Sequence, residues 1–268
     1  CPANTPTSRN ITVNALPLPT ITGLASVCQN ASGVTYTTEA GMSGYTWNVV
    51  GGTITAGAGT RQITVTWNTV GAQSVSVNYV SNGCSAALPT TQAVTVNALP
   101  VPTISGLNTV CAGTTGVNYS TEAGMSAYTW TVSAGGTVTA GAGTNSITVT
   151  WNTAGAQTVR VNYNNTNGCS ATTPTTYNVT VNALPVPTIT GNTPVCVNSS
   201  EVYTTESGMS AYVWNVTGGT ITSGAGTNSV TVNWTGVGAR TISVNYNNGA
   251  SCPANTPTSR NITVNALP

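Results

Sequence analysis

The sequence predicts an all-β protein, a tandem array of Greek-key β-sandwiches joined into a rod. Three observations predict this fold class. The tetrapeptide NALP recurs at nearly constant spacing along the chain. Apolar and polar residues alternate along short stretches, as they do in strands with one buried face. Glycine-rich segments such as TAGAGT separate those stretches and are typical of turns.

The NALP repeat divides the chain into copies of similar length. The tetrapeptide ends at residues 17, 100, 185 and 268, which gives spacings of 83, 85 and 83 residues. The predicted β-sandwich repeats are therefore copy 1 (18–100), copy 2 (101–185) and copy 3 (186–268). Copies follow each other through NALPLP or NALPVP, in which two prolines one residue apart favour an extended, stiff linker.

The leading segment, residues 1–17, is identical to residues 252–268 at every position. We therefore expect residues 1–17 to be the terminal strand of a preceding repeat, and the chain to be a section of a longer array. In a covalent array this strand belongs to the repeat before it. In a polymer of short subunits it could instead complete a neighbouring molecule by strand addition.

Each copy contains the same series of alternating stretches. GYTWNVV, RQITVTW, QSVSVNY and TQAVTVNA in copy 1 recur in altered form in copies 2 and 3. Each stretch places its aromatic, Val and Ile side chains on one face and Thr, Ser or Asn on the other. About seven such strands in one copy are typical of a Greek-key β-sandwich.

The composition excludes several classes of function. Charged residues make up 3% of the chain and the net charge is +1, so no field attracts nucleic acid or acidic lipid. No apolar stretch reaches the roughly 20 residues that a membrane helix needs, so we expect no membrane insertion. Because Lys, Asp and His are all absent, we expect no catalytic site, no metal site and no cofactor.

Three of the four glutamates occupy equivalent loops. Glu39 and Glu122 lie in TEAGMS, and Glu206 lies in TESGMS. A single glutamate in a turn is usually solvated or hydrogen-bonded to the backbone, and that is our prediction here. If the copies bind a ligand, these loops at one end of each sandwich are the expected contact surface.

The cysteines form a regular series. Each copy has an early cysteine near its start and a late cysteine before its last strand, and we predict that these form disulfides in an oxidising compartment. They are Cys28, Cys84, Cys111, Cys169, Cys196 and Cys252. Cys1 is the late cysteine of the preceding repeat and is expected to be unpaired within residues 1–268.

Two pairing schemes remain open. The first joins the two cysteines of each copy, as Cys28–Cys84, Cys111–Cys169 and Cys196–Cys252, and we favour it. The second joins neighbouring copies, as Cys28–Cys169 and Cys111–Cys252. It answers a geometric objection, because the two cysteines of one sandwich could lie at opposite ends, more than about 20 Å apart and too far to bond.

The tryptophans are predicted to pack in the core, because all of them fall in register with Val and Ile. They are Trp47, Trp67, Trp130, Trp151, Trp214 and Trp234. Trp67, Trp151 and Trp234 lie at strand ends and are the ones we expect to be more exposed. Candidate N-glycosylation sequons begin at Asn10, Asn30, Asn118, Asn164, Asn178, Asn198, Asn215, Asn233 and Asn261, a number close to that expected by chance.

The order of motifs in each copy resembles a known family. VC near the start, YTW, then ITVTW after a glycine-rich turn, VSVNY, and GCS before the last strand are similar to the PKD-like (immunoglobulin-like) repeats of bacterial surface proteins. The resemblance covers all three copies, although the acidic turn that follows tryptophan in the eukaryotic pattern is missing after Trp47, Trp130 and Trp214. It implies tandem repeats of giant secreted proteins of the Bacteroidota, including gliding-motility adhesins exported by the type IX system.

Two functions follow as hypotheses. In the first, the chain is a structural extracellular stalk or filament at the cell surface, and its partners are copies of itself, in tandem or packed laterally. In the second, each copy is an adhesive module that binds a surface glycan or a protein. The repeat, the proline linkers and the cysteines favour the first hypothesis.

Overall fold

The computed structural model describes residues 6–268, and those residues contain strands and no helix. The prediction of an all-β fold is confirmed. The chain forms two compact units. The first contains the described residues up to Pro102 together with 124–127 and 162–173; the second contains 103–123, 128–161 and 174–268.

Copy 1 contains two sheets. Its strands are β1 (Ser26–Cys28), β2 (Val34–Thr37), β3 (Ser43–Val50), β4 (Gly52–Ala56), β5 (Gln62–Trp67), β6 (Gly71–Ser81), β7 (Cys84–Ser85) and β8 (Thr90–Asn97). One sheet has the order β2-β5-β4. The other has the order β1-β8-β6-β3, with the short β7 paired to β6.

Copy 2 repeats this topology. Its strands are β9 (Ser105–Gly106), β10 (Thr109–Cys111), β11 (Val117–Ser120), β12 (Ser126–Val132), β13 (Gly136–Ala140), β14 (Ser146–Trp151), β15 (Gly155–Asn164) and β16 (Thr175–Asn182). The sheets have the orders β13-β14-β11-β9 and β10-β16-β15-β12.

Copy 3 follows the same plan. Its strands are β17 (Val195–Cys196), β18 (Ser200–Thr204), β19 (Ser210–Thr217), β20 (Gly219–Ser223), β21 (Ser229–Trp234), β22 (Gly238–Asn247) and β23 (Thr258–Asn265). The sheets have the orders β18-β21-β20 and β17-β23-β22-β19. In all three copies, neighbours within a sheet are mostly far apart in sequence, as Greek-key connections require.

One pairing in each copy is parallel, whereas the other described pairings are antiparallel. The short strand that carries the early cysteine pairs with the last long strand of the same copy. The early cysteine lies opposite the Asn of NALP each time, as Cys28 opposite Asn97, Cys111 opposite Asn182 and Cys196 opposite Asn265. The early cysteine is therefore fixed at the end of the copy from which the chain leaves.

Each copy has its own hydrophobic core, built from the apolar faces that the alternation predicted. In copy 1 the buried set runs from Val27 to Val96 and includes Ile63, Val65 and Val75. Copies 2 and 3 bury the equivalent residues. Polar Thr, Ser and Asn residues alternate with these side chains on the outer faces of the strands.

The expectation that Trp67, Trp151 and Trp234 are more exposed is wrong, because all of them are fully buried. The reason is the residue opposite each indole across the sheet, which is a glycine: Gly52, Gly136 and Gly219 respectively. A Cβ on Gly136 would lie 2.7 Å from the Trp151 ring. The missing side chain makes the space that the indole fills.

The other three tryptophans lie nearer the edge of the core. Trp214 is buried, whereas Trp47 and Trp130 are half-buried and pack against their clusters. Each indole nitrogen donates to the backbone carbonyl of a threonine in the glycine-rich turn, for example Trp47 Nε1 to Thr60 O at 2.8 Å. These tryptophans therefore fix the turn as well as covering the core.

One sequence adopts two conformations in this chain. Residues 258–265 form β23, with Ile262 and Val264 each 1% exposed. The identical residues 7–14 are not in a strand, and Ile11 and Val13 are 80% and 90% exposed. A strand needs a partner for its backbone groups and a core for its apolar face. Residues 258–265 pair with β22 and face the core of copy 3, whereas residues 7–14 pair with no strand.

The buried tryptophans provide a test of these cores. Trp67→Ala is expected to lower the free energy of unfolding of copy 1 by about 3–5 kcal/mol, the usual cost of removing a fully buried tryptophan. Trp47→Ala, at a half-buried position of the same copy, is the matched control and should cost clearly less. Hydrogen exchange of the copy 1 amides measures both; an equal loss would contradict the burial described here.

Candidate functional site: the joints between copies

The two cysteines of one copy lie at opposite ends of the sandwich. Cys28 is opposite Asn97 at the end of β8, while Cys84 begins β7, beyond the part of β6 that pairs with Thr90 at the start of β8. Seven residues of β8 separate these levels, which is about 23 Å at about 3.3 Å per residue. A disulfide needs Cα atoms within about 7 Å. The within-copy scheme, Cys28–Cys84, Cys111–Cys169 and Cys196–Cys252, is therefore wrong.

The structure instead joins neighbouring copies. Cys28 of copy 1 bonds to Cys169 of copy 2, and Cys111 of copy 2 bonds to Cys252 of copy 3. In both bonds the Cα atoms are 5.6 Å apart and the cysteines are 141 residues apart in sequence. The early cysteines of copies 1 and 2 thus bond to the late cysteine of the copy that follows, as the second scheme predicted.

An asparagine connects each late cysteine to the linker before its copy. The Asn165 side-chain oxygen accepts the Cys169 backbone N–H at 3.0 Å, while its Nδ2 donates to the Ala98 carbonyl of the NALP linker at 3.1 Å. Asn248 does the same for Cys252 and for Ala183, at 3.0 and 2.8 Å. One amide therefore holds the cysteine loop against the linker, which places the late cysteine beside the early cysteine of the preceding copy.

A glutamate fixes the first residue after each linker. The Glu39 carboxylate accepts the backbone N–H of Thr20 at 3.1 Å and the Thr20 hydroxyl at 2.5 Å. The hydroxyl of Thr38 donates to the same carboxylate at 2.6 Å. Thr20 directly follows the second linker proline. We call this arrangement the glutamate clamp.

Copies 2 and 3 contain equivalent clamps. Glu122 holds Thr103, and Glu206 holds Thr188, through the same backbone and hydroxyl hydrogen bonds. In copy 3 the hydroxyl of Tyr246 also donates to the Glu206 carboxylate at 2.8 Å. The glutamates of the TEAGMS and TESGMS loops are thus engaged by their own chain, in keeping with the prediction of a backbone-bonded turn residue.

These contacts shift the pKa of the groups involved. Burial acts to raise the pKa of each clamp glutamate, but the hydrogen bonds from the threonines outweigh it and lower the pKa to about 2. Burial, and then the hydrogen bond to Glu206, raise the pKa of Tyr246 to about 12. The clamp carboxylates are therefore ionised at any pH above about 3.

Two cysteines within the described residues have no disulfide partner. They are Cys84, which is half-buried, and Cys196, which is exposed. Cys1, expected to be unpaired, lies outside the described residues.

The sequence analysis did not identify Asn165, Asn248 or the clamp threonines as residues of the joint. The signal for the threonines was their constant place after NALPLP or NALPVP.

The predicted glycosylation sequons all fall at positions where the asparagine is accessible. Asn164 and Asn233 are half-buried, and the other seven are exposed.

Within residues 6–268, no group of three or more Cys, His, Asp or Glu side chains is placed to hold a metal ion. The same residues include no helix with the length and apolarity needed to cross a membrane.

These features define a class of protein: tandem β-sandwich domains in which neighbouring domains are joined by a peptide linker and by a disulfide. The chain belongs to the PKD-like domain family, and three successive matches to that domain cover residues 9–96, 97–179 and 182–264. No curated protein sequence matches the chain significantly.

Several solved structures are similar to this chain over most of its length. The Escherichia coli adhesin FdeC is 17% identical, with 92% of this chain and 96% of that chain covered and a TM-score of 0.32. Domains 1–6 of the surface layer protein SbsC are 17% identical, covering 94% and 41%, with a TM-score of 0.30. The fibronectin(III)-like modules of Clostridium thermocellum CbhA are 18% identical, covering 62% and 95%, with a TM-score of 0.30.

The disulfides provide a direct test of the joint. A non-reducing peptide map is expected to link Cys28 to Cys169 and Cys111 to Cys252. The double variant Cys28→Ser/Cys169→Ser should lower the free energy of unfolding of copies 1 and 2, taken together, by about 5 kcal/mol. This is the chain-entropy value for a loop of this length. Thermal unfolding measures the loss, and Cys84→Ser is the control. A peptide linking Cys28 to Cys84 would contradict the joint.

The glutamate clamps predict a particular pH dependence. Because the folded pKa of about 2 lies below the ordinary value of 4.5, ionised clamps stabilise the fold above pH 4.5. That stabilisation is lost as the pH falls from 4.5 towards 2. The triple variant Glu39→Gln/Glu122→Gln/Glu206→Gln should have a lower melting temperature at pH 7 and a flatter decline in acid.

The fourth glutamate provides the control for this experiment. Glu201 accepts one hydrogen bond, from Asn192 Nδ2 at 3.1 Å, and lies outside the clamps. Glu201→Gln changes the charge as each clamp variant does. The variants are compared by their melting temperatures from pH 2 to pH 7. If the melting temperature of the triple variant falls as steeply in acid as that of Glu201→Gln, the clamps do not stabilise the fold.

Proposed function

We propose that the chain is a structural section of an extracellular stalk or filament at the cell surface. The observation that carries the proposal is the joint, where successive copies are connected twice, by the NALP linker and by a disulfide. Two covalent connections restrict bending and separation of neighbouring domains far more than a single linker does. Such a joint suits a protein that has to keep its domains in line under load.

Three further features support this function. Disulfides persist in oxidising compartments, which favours an extracellular location. The glutamate clamp fixes the direction in which the chain enters each copy, because it holds the residue that follows the linker prolines. The outer faces carry Thr, Ser and Asn in place of charged residues, so the charge of the surface changes little with pH and its interactions change little with salt.

A catalytic role has little support. The clamp carboxylates already accept several hydrogen bonds from their own chain, and their low pKa makes them poor proton donors or bases near neutral pH. The same engagement weakens the alternative function, an adhesive module that binds glycan or protein through the TEAGMS loops. A glycan array probed with the intact chain tests that alternative.

We also propose the kind of protein to which this stalk belongs. The sequence resemblance suggests a giant secreted surface protein of the Bacteroidota, of the gliding-motility-adhesin type. A polymer of short subunits joined by strand addition is the other assembly we consider, and the exposed Ile11 and Val13 would be the donated side chains.

Electron microscopy of the intact chain tests the stalk function. We expect a thread of three beads, roughly 40 Å each from the length of the strands and end loops, whose stiffness falls when the disulfides are reduced. The Cys28→Ser/Cys169→Ser/Cys111→Ser/Cys252→Ser variant gives the same comparison without reductant. Compact globules, or threads whose bending does not change on reduction, would argue against a stalk.

A further inference from the structure

A cavity lies beside the disulfide that joins copies 2 and 3. Its volume is about 360 Å³ and it is open to solvent. Cys111, Ala112 and Gly113 of copy 2 form part of its wall, as do Pro253 and Ala254 of copy 3. Small-molecule sites in proteins enclose roughly 300–1,000 Å³. One of the two bonded cysteines therefore borders a space that is large enough for a small ligand.

The two cysteines of each disulfide differ in exposure. We call the joint between copies 1 and 2 joint 1, and the joint between copies 2 and 3 joint 2. In joint 2, Cys111 is half-buried and Cys252 is 0% exposed; in joint 1, Cys28 is half-buried and Cys169 is 1% exposed. A thiolate that reduces a disulfide has to reach one of its sulfurs, so access decides which sulfur is attacked. The early cysteine is therefore the point of attack in both joints.

The backbone after the early cysteine follows the same path in both joints. The N–H of the next residue donates to the Asn carbonyl of NALP, at 2.8 Å from Gln29 and at 2.9 Å from Ala112. The N–H of the residue after that donates to a tryptophan carbonyl at 2.7 Å, from Asn30 in copy 1 and from Gly113 in copy 2. The φ angles of Asn30 and Gly113 are 63° and 81°. At these two positions the joints therefore differ mainly in their side chains.

The side chains at these two positions are larger in joint 1. Ala112 carries one methyl group and Gly113 has no side chain, and both line the cavity of joint 2. Their counterparts in joint 1 are Gln29 and Asn30, and Gln29 Nε2 donates to the Asn68 carbonyl at 3.3 Å. The additional atoms project from the positions that line the cavity in joint 2. We therefore expect the approach to the disulfide to be narrower in joint 1.

We propose that the cavity is an entry site for small thiols of the glutathione type, which reduce Cys111–Cys252 in preference to Cys28–Cys169. The cavity admits the thiol beside Cys111, whereas the Gln29 side chain restricts the approach to Cys28. Joint 2 is the joint that opens first when the surroundings become reducing. The inference does not rest on the stalk function, because it concerns the reactivity of two bonds and not the load that they bear.

The reaction is a thiol–disulfide exchange in two steps. A glutathione thiolate attacks Cys111 Sγ, the Cys111–Cys252 bond breaks, and the Cys252 sulfur leaves as a thiolate that takes a proton from water. A second glutathione thiolate attacks the glutathione sulfur of the mixed disulfide and releases the Cys111 thiolate, which is protonated in the same way. In total, two glutathione thiols become one glutathione disulfide, and one protein disulfide becomes two protein thiols.

The loop of the late cysteine favours reclosure after the first step. The Asn248 N–H donates to the Cys252 carbonyl and the Asn248 side-chain oxygen accepts the Cys252 N–H, both at 3.0 Å. Asn248 Nδ2 donates to the Ala183 carbonyl of the linker at 2.8 Å. Because these contacts do not involve the disulfide, they keep the Cys252 thiol near Cys111 once the bond is broken. The mixed disulfide is therefore short-lived, and rapid alkylation is needed to trap it.

The experiment follows both disulfides in one molecule. The starting protein carries Cys1→Ser, Cys84→Ser and Cys196→Ser, so that every thiol that appears comes from one of the two bonds. It is incubated with reduced glutathione and alkylated at intervals, and peptide mapping by mass spectrometry measures the modified fraction of each cysteine. We expect Cys111–Cys252 to be reduced several-fold faster than the disulfide of joint 1, with glutathione attached to Cys111 and not to Cys252.

An exchange of side chains between the joints provides matched controls. Ala112→Gln/Gly113→Asn gives joint 2 the residues of joint 1, and should slow reduction of its disulfide to the rate of joint 1. Gln29→Ala/Asn30→Gly makes the reverse change and should accelerate reduction in joint 1. The backbone tolerates both residue types at the second position, since Asn198, the equivalent residue of copy 3, has a φ of 65°.

Three results would overturn the proposal. The first is reduction at equal rates in the starting protein, or faster reduction in joint 1. The second is glutathione attached first to Cys252, because attack would then occur at the buried sulfur. The third is a set of rates that neither exchange of side chains alters. Threads whose bending does not change on reduction would argue against the stalk function and leave the preference for joint 2 standing.

Discussion

The parallel pairing of the first short strand with the last long strand determines how the copies are joined. In copy 1 this pairing places Cys28 beside Asn97, at the point where the chain leaves for copy 2. Since the late cysteine lies at the other end of the same sandwich, the nearest cysteine to Cys28 belongs to the next copy. If the first strand paired elsewhere, the disulfide between copies could not form.

The glutamate clamp and the asparagine of the cysteine loop act on the same joint from two sides. The asparagine binds the linker as it leaves one copy, and the glutamate holds the threonine with which the next copy begins. Neither contact involves an ion pair. In a chain with so few charges, these contacts are hydrogen bonds to single side chains, and they occur at the same joints as the disulfides and the linker prolines.

Much of the fold was predictable from the sequence, because strands with one buried face leave a pattern of period two. Positions such as Ile63 and Val65 were predicted to be buried and are buried. The position of Trp67 was not predicted correctly, because its burial depends on a glycine in another strand, and a stretch considered alone contains no such information. The identical residues 7–14 and 258–265 show the same limit, since only one of the two segments has a partner strand.

The disulfide pairing could be narrowed to two schemes but not decided from sequence spacing. Cysteines in the same copy are close in sequence and far apart in space, while the bonded pairs are 141 residues apart. The deciding fact was the direction of a three-residue strand, and short strands carry too few residues for their pairing to be predicted. The clamp was missed for a related reason: the glutamate and its threonine lie in different segments of the copy.

The two disulfides also have a topological consequence. The rings they close span residues 28–169 and 111–252, so they overlap across most of copy 2. A single proteolytic cut anywhere between residues 28 and 252 leaves the two fragments covalently attached, and a cut between 111 and 169 is bridged twice. The molecule therefore stays in one covalent piece after a single broken peptide bond over most of its length, and only reduction of the disulfides would release the fragments.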